Sequence, residues 1–171
     1  MIDDGNERPS KAGEDIHFSS SGELLKLTVD IVGLSGRQLD IASRSLEPAV
    51  YDTRDFLDAV KHFVLSRRGS RVRIVVLDPD SLISRNSRRL VDLAMRLSSL
   101  MEIRRPGERH SAFNEAMLIS DRLRVVHRKH SDRYEGIANF HAPRLAGCLS
   151  ESFEAIWQNA ETIPYFRRLM L

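Results

Sequence analysis

A single cysteine, Cys148, in 171 residues leaves no possibility of an internal disulfide framework. Long apolar runs are missing too: the longest aliphatic stretches, such as Ile74 to Leu77, fall far short of the ~20 residues that a membrane-spanning helix needs. The N-terminus, Met1-Ile-Asp-Asp, is acidic where a secretory signal would be basic, so a cytoplasmic location without membrane association is expected. There is no Gly-rich phosphate loop of the nucleotide-binding kinds. His17, His62 and His141 have no second ligand at metal spacing, so neither a metal nor another cofactor is expected. The composition, 42% hydrophobic and 29% charged, is that of a soluble globular protein long enough to bury a core unaided.

The charge balance of +2 conceals an asymmetry. Acids outnumber bases seven to three through Asp30, and the remainder of the chain is basic, with arginine supplying 22 of the 26 cations. Arginine's planar fork suits phosphates and carboxylates, although surface ion pairs use it as readily. The first 17 residues are polar, contain Gly5, Pro9 and Gly13, and read as a disordered lead-in to one domain spanning 18–171. Ser20-Ser-Gly-Glu23 has the pattern of a capping box, and apolar Leu24, Leu27, Ile31 and Leu34 predict a helix over about 22–34. Strands are expected at 38–45, 71–78 and 100–105, with helices at 53–66 and 87–99 between them. This β-α-β-α-β rhythm predicts a layered, largely parallel sheet with helices on both faces. After Pro106-Gly107 the rhythm changes to strands at 113–120 and 122–128, joined by a tight turn at Asp121-Arg122. A further strand at 134–140 and a final helix opening at Pro143 complete the expectation. Cys148 lies close to that helix's apolar side and reads as a small core residue.

Phe113 to Trp157, in this order of elements, resembles the phospholipase D superfamily, whose catalytic strand carries His-x-Lys-x4-Asp. Pro143-Arg-Leu-Ala146 through Phe153-Glu-Ala-Ile-Trp157 fits the family's closing helix, and Tyr134-Glu-Gly-Ile-Ala-Asn139 fits the strand whose acidic residue would be Glu135. Aligned on Asp121, the central motif reads Asn114-Glu-Ala116-Met-Leu-Ile-Ser-Asp121. Asparagine stands where the histidine would be, alanine where the lysine would be, and Arg128-Lys129 at the family's Gly-Ser pair. The resemblance implies an α/β fold of phospholipase D-like, layered type and a homodimer in which two motifs meet. It points to a bacterial family met alone or attached to acetyltransferase-like domains.

The family's histidine is a nucleophile toward phosphodiesters, a task that needs a free nitrogen lone pair. The amide nitrogen of Asn114 has its lone pair delocalised into the carbonyl, and Ala116 has no atoms with which to stabilise developing charge. A pseudoenzyme is therefore expected: an accessory or regulatory domain whose degenerate cleft, Asn114, Asp121, His127, Arg128, Lys129 and Glu135, binds a phosphate-bearing ligand or nucleic acid. The cluster His127-Arg-Lys-His130 reads equally as a hairpin edge kept solvated by its charges. Two alternatives are a protein-interaction module whose cleft is closed in a dimer, and a phosphodiester hydrolase with His110 or His127 as base. Asp78-Pro-Asp80 and Ser43-Arg44 are placed at the C-terminal ends of parallel strands, where open α/β sheets gather their sites.

Overall fold

The structure, a computed structural model, describes residues 13–84, 88–164 and 166. Its elements in chain order are β1 (Ile16–Phe18), α1 (Ser21–Gly33), β2 (Gln38–Ser43), α2 (Pro48–Tyr51), α3 (Arg54–Ser66) and β3 (Arg71–Val76). There follow α4 (Asp80–Ser84), α5 (Arg88–Arg96), β4 (Met101–Arg105), a 3-10 turn (Glu108–His110), β5 (Ala116–Ser120) and β6 (Arg124–Arg128). The chain continues through β7 (Gly136–Asn139), α6 (Pro143–Gln158) and β8 (Glu161–Thr162). Residues 1–12 of the expected lead-in lie outside the described residues, and Ile16 and His17 at its end already form a strand. Among the described residues no helix is long and apolar enough to cross a membrane.

Local chemistry sets the helix starts as the sequence predicts. Ser20 caps α1 by accepting from the Glu23 amide, while the Glu23 carboxylate accepts from the Ser20 amide, closing the reciprocal box. These contacts hold the Glu23 carboxyl below the usual carboxylate range, the Ser19 amide contributing most, then the Ser20 hydroxyl and amide. Thr53 caps α3 through the Phe56 amide, and Pro143 occupies the first turn of α6, where its missing N–H costs nothing.

The eight strands form one sheet in the order β1-β7-β6-β5-β2-β3-β4-β8. Layers and helices on both faces are as expected; the largely parallel balance of the sheet is a correction. Parallel pairing is confined to β2–β3 and β3–β4, where helical crossovers return the chain to the same end of the sheet. Every other pairing is antiparallel, because β5, β6 and β7 are joined by short connections and β5 adds to the free edge of β2. The hinge of the β5–β6 hairpin is the expected turn: Asp121 and Arg122 both adopt left-handed backbone, φ 54° and 53°, and the Leu123 amide donates to the Ser120 carbonyl.

Strand alternation sends side chains to two cores. Leu39, Ile41, Ile74, Leu118 and Val126 pack beneath α1, α3 and α5, whereas Ala42, Val75, Met117, Ile119 and Val125 pack against α6 through Phe153 and Trp157. On the α6 side Arg73 pairs with Asp40 at 2.8 Å and Glu154 at 2.9 Å, with its guanidinium 5.1 Å from the Phe153 ring centre. Burial opposes this charge, but the bond and charge of Asp40, and then Glu154, outweigh it and raise the Arg73 pKa. Cys148 is exposed on α6, contrary to the core placement expected of it.

Asp121 ties the two halves of the sheet together. Its carboxylate accepts three backbone amides, from Gly36 at 2.7 Å, Arg37 at 2.8 Å and Gln38 at 2.9 Å, and so pins the α1–β2 connection to the β5–β6 turn. Asp121→Ala should lower unfolding stability by about 2–3 kcal/mol, the cost of stranding amides that had a charged acceptor. Urea denaturation measures this, and a midpoint equal to that of the unaltered chain would contradict the role.

Candidate functional site

Six residues mark the expected cleft, and the sheet distributes them over three places. Asn114 lies in the connection leading into β5, so it is close to the start of that strand. Its side-chain oxygen accepts from the Ser131 hydroxyl at 2.6 Å and from Arg44 Nη1 at 3.4 Å, and its backbone carbonyl accepts the Ser131 amide at 2.9 Å. The asparagine at the nucleophile position thus fastens the β6–β7 loop. Ala116, at the lysine position, is 2% exposed and pairs across the sheet with Arg128, so both face the α1–α3 side.

Arg128 fills the space in front of Ala116's side of the sheet, and its charge is already spent. Only 2% of it is exposed. Nη2 donates to Glu47 Oε1 at 3.0 Å, and Nη1 donates to the carbonyls of Arg133 at 2.9 Å and Ser131 at 3.5 Å. The other oxygen of Glu47 accepts from the Ser43 hydroxyl at 3.1 Å. Burial, and then the Glu47 charge, pushes the pKa of the adjacent Tyr51 hydroxyl up, with Arg128 working in the opposite direction. What remains open is a pocket of about 160 Å³ lined by Arg44, Glu47, Asp78, Arg128, Ser131 and Arg133. Arg44 and Asp78 therefore stand where their positions after β2 and β3 led one to expect them.

His127 points the other way, because neighbouring residues of a strand alternate faces. His17, Ile137 and His127 are consecutive cross-strand partners and stand in one row on the α6 face, beyond the helix itself. The His127 Nε2 lies 2.7 Å from Glu115 Oε2, which fixes the ring. His127, Lys129 and Glu135 line a cavity of about 620 Å³ together with His17, His130 and Arg133. Lys129, His130, Arg133 and Glu135 are exposed, and among the described residues their side chains have no hydrogen-bond or ion-pair partner. Gly136 lets this edge close up: a Cβ there would lie 2.3 Å from the His127 carbonyl oxygen and 2.7 Å from Phe18 Cζ.

Asp121 belongs to neither pocket. It stands past the C-terminal end of β5, and five strand residues at ~3.3 Å each put on the order of 16 Å between it and Asn114. The structure sets it apart from the other five residues, where its carboxylate serves the backbone of the α1–β2 connection. His110 sits in the 3-10 turn before β5 and not on the strand. The sequence gives no sign of the places of Glu47 and Glu115, and it raises His17 only as a metal ligand. Glu47 and Glu115 occupy connections with no periodicity to orient them, and His17 falls in a polar segment that gives no strand signal. Among the described residues no group of three or more histidine, cysteine or carboxylate side chains is arranged to hold a metal ion.

Breaking the buried pair tests how firmly this first pocket is closed. Arg128→Met should cost about 3–5 kcal/mol, since the buried Glu47 carboxylate loses its cation. The double variant Arg128→Met with Glu47→Gln should recover more than half of that loss. Chemical denaturation of the four forms of the cycle decides it, and a single variant within ~0.5 kcal/mol of the parent would refute the coupling.

The family described as Domain of unknown function (DUF7931) matches residues 20–169. No curated protein matches the chain. Among solved structures, the fold is similar to TrmBL2, an archaeal chromatin protein described as showing a novel mode of DNA binding. That match has a TM-score of 0.66 and 17% identity and covers 93% of this chain and 56% of the chromatin protein. This chain therefore spans little more than half of that relative. Also similar are NucT from Helicobacter pylori, with a TM-score of 0.63, 15% identity, and coverage of 88% of this chain and 99% of that one. Nuc from Salmonella typhimurium, a phospholipase D family member, gives 0.59 and 17%, with the same coverage of 88% and 99%. The fold is phospholipase D-like; identities this low speak to architecture alone.

Proposed function

The chain belongs to the DUF7931 family, and from that premise we propose that it is a non-catalytic phospholipase D-like module that binds a phosphate-bearing ligand. The observation that carries this reading is the set of unpartnered cations, Lys129 and Arg133, with His130, on the rim of the 620 Å³ cavity. An ammonium and a guanidinium that make no ion pair with a protein carboxylate are available to an incoming anion. The bound ligand is not cleaved in this reading. Asn114 has no nucleophilic nitrogen, Ala116 contributes no charge, and Arg128 is neutralised by Glu47.

A nucleic acid is the second form such a ligand takes, favoured by the likeness to a chromatin protein described as binding DNA. Either form makes the same first prediction. At low ionic strength the protein should bind phosphate-bearing probes, with affinity that falls as salt is added. Lys129→Ala combined with Arg133→Ala should weaken binding by at least about tenfold while leaving the melting temperature within a few degrees, because both side chains are exposed. A panel of phosphodiesters should show no turnover. Salt-insensitive binding, an unaffected double variant, or measurable hydrolysis would each overturn the reading.

A further inference from the structure

The cavity beside β1 and β7 has two walls of opposite sign. One comes from the end of β6 and the loop after it, with His127, Lys129, His130 and Arg133. The other comes from the chain entering α1, with Asp15, His17 and Glu23, and Glu135 stands between the two at the start of β7. Two permanent cations thus face three carboxylates, and a fourth carboxylate, Glu115, touches His127 from the side. Asp15 is held by Asn139 and Glu23 by the cap of α1, so neither is free to swing away, whereas Glu135 is unpartnered.

An ionised carboxylate can only accept hydrogen bonds, so the acidic wall is complementary to donors and repels further anions. We propose, building on the phosphate-binding reading, that the ligand of this cavity is a small phosphate monoester that also carries ammonium or hydroxyl donors. The phosphate meets Lys129 and Arg133, and the donors meet Glu135 and its acidic neighbours. A nucleic-acid strand fits poorly for two reasons. Duplex DNA carries a charge every ~1.7 Å of axis, so placing one phosphate on the cationic wall sets others within a Debye length, ~10 Å, of the carboxylates. Single strands bind chiefly by stacking bases on open Phe, Tyr or Trp faces, and the one such ring lining this cavity, Phe18, is 4% exposed. The volume, about 620 Å³, lies in the range of small-molecule sites, ~300–1,000 Å³.

Calorimetric titration at low salt with O-phosphoethanolamine, glycerol 3-phosphate, inorganic phosphate and a single-stranded oligonucleotide tests this. At least one of the donor-bearing esters should bind about tenfold more tightly than inorganic phosphate. Glu135→Ala should cut that preference by at least about threefold, while Lys129→Ala should weaken every phosphate probe. Both residues are exposed, and thermal melts of the variants confirm that the fold is kept. Equal binding of the esters and inorganic phosphate, tighter binding of the oligonucleotide, or a preference that survives Glu135→Ala overturns the proposal and leaves phosphate binding standing. Failure of every probe to bind overturns both.

Discussion

The buried pair of Arg128 and Glu47 is the constraint on which the functional half of the molecule depends. A guanidinium 2% exposed could not be tolerated without a counter-charge and acceptors, and it has one carboxylate oxygen and two loop carbonyls. The same three contacts decide the shape of the β6–β7 loop, since two of its carbonyls are held against the end of β6. Asn114 fastens the loop a second time through Ser131. The polar groups of Asn114 and Arg128 are therefore engaged in internal bonds. The loop that those bonds fix carries its remaining cations outward.

This division follows from the alternation of a single strand. Successive residues of β6 face opposite sides, so Arg128 turns inward to Glu47 while His127 turns to the cavity with Glu115 as its partner. Two basic residues adjacent in sequence thus end in unrelated electrostatic settings. One is neutralised in a low-dielectric interior, where the pair is rigid. The other stands beside exposed Lys129, whose charge is screened by water and is therefore weak in stability terms.

The architecture was largely legible in the sequence because its signals are local. A capping box at Ser20, apolar spacing in α1 and α3, the all-apolar run at Ile74 and the left-handed pair at Asp121-Arg122 each specify an element from a few neighbouring residues. Strand direction was legible where connection length specifies it, in parallel β2–β4 and the β5–β6 hairpin; the antiparallel majority was not, since nothing local shows that β5 adds to the free edge of β2. For the candidate site, the kinds of side chain were legible and their grouping was not: an amide at Asn114 and a methyl at Ala116 are read directly from the sequence. That Arg128 would find Glu47, 81 positions away, depended on contacts between segments with no periodic pattern.

Asp121 shows how one residue of a motif can serve the framework alone. Its carboxylate sits at the opposite end of β5 from Asn114 and accepts three amides of the α1–β2 connection. Those amides would otherwise be left without an acceptor at the junction between the parallel and antiparallel parts of the sheet, a loss felt in every state of the protein whether or not it meets a ligand. A histidine or lysine at 114 or 116 contributes nothing comparable to the framework. A lysine at 116, in particular, would bury an ammonium on the strand face that Arg128 already shares. The physical demands on the two ends of the strand are thus independent, and chemistry can be removed from one while the other goes on holding the scaffold in register.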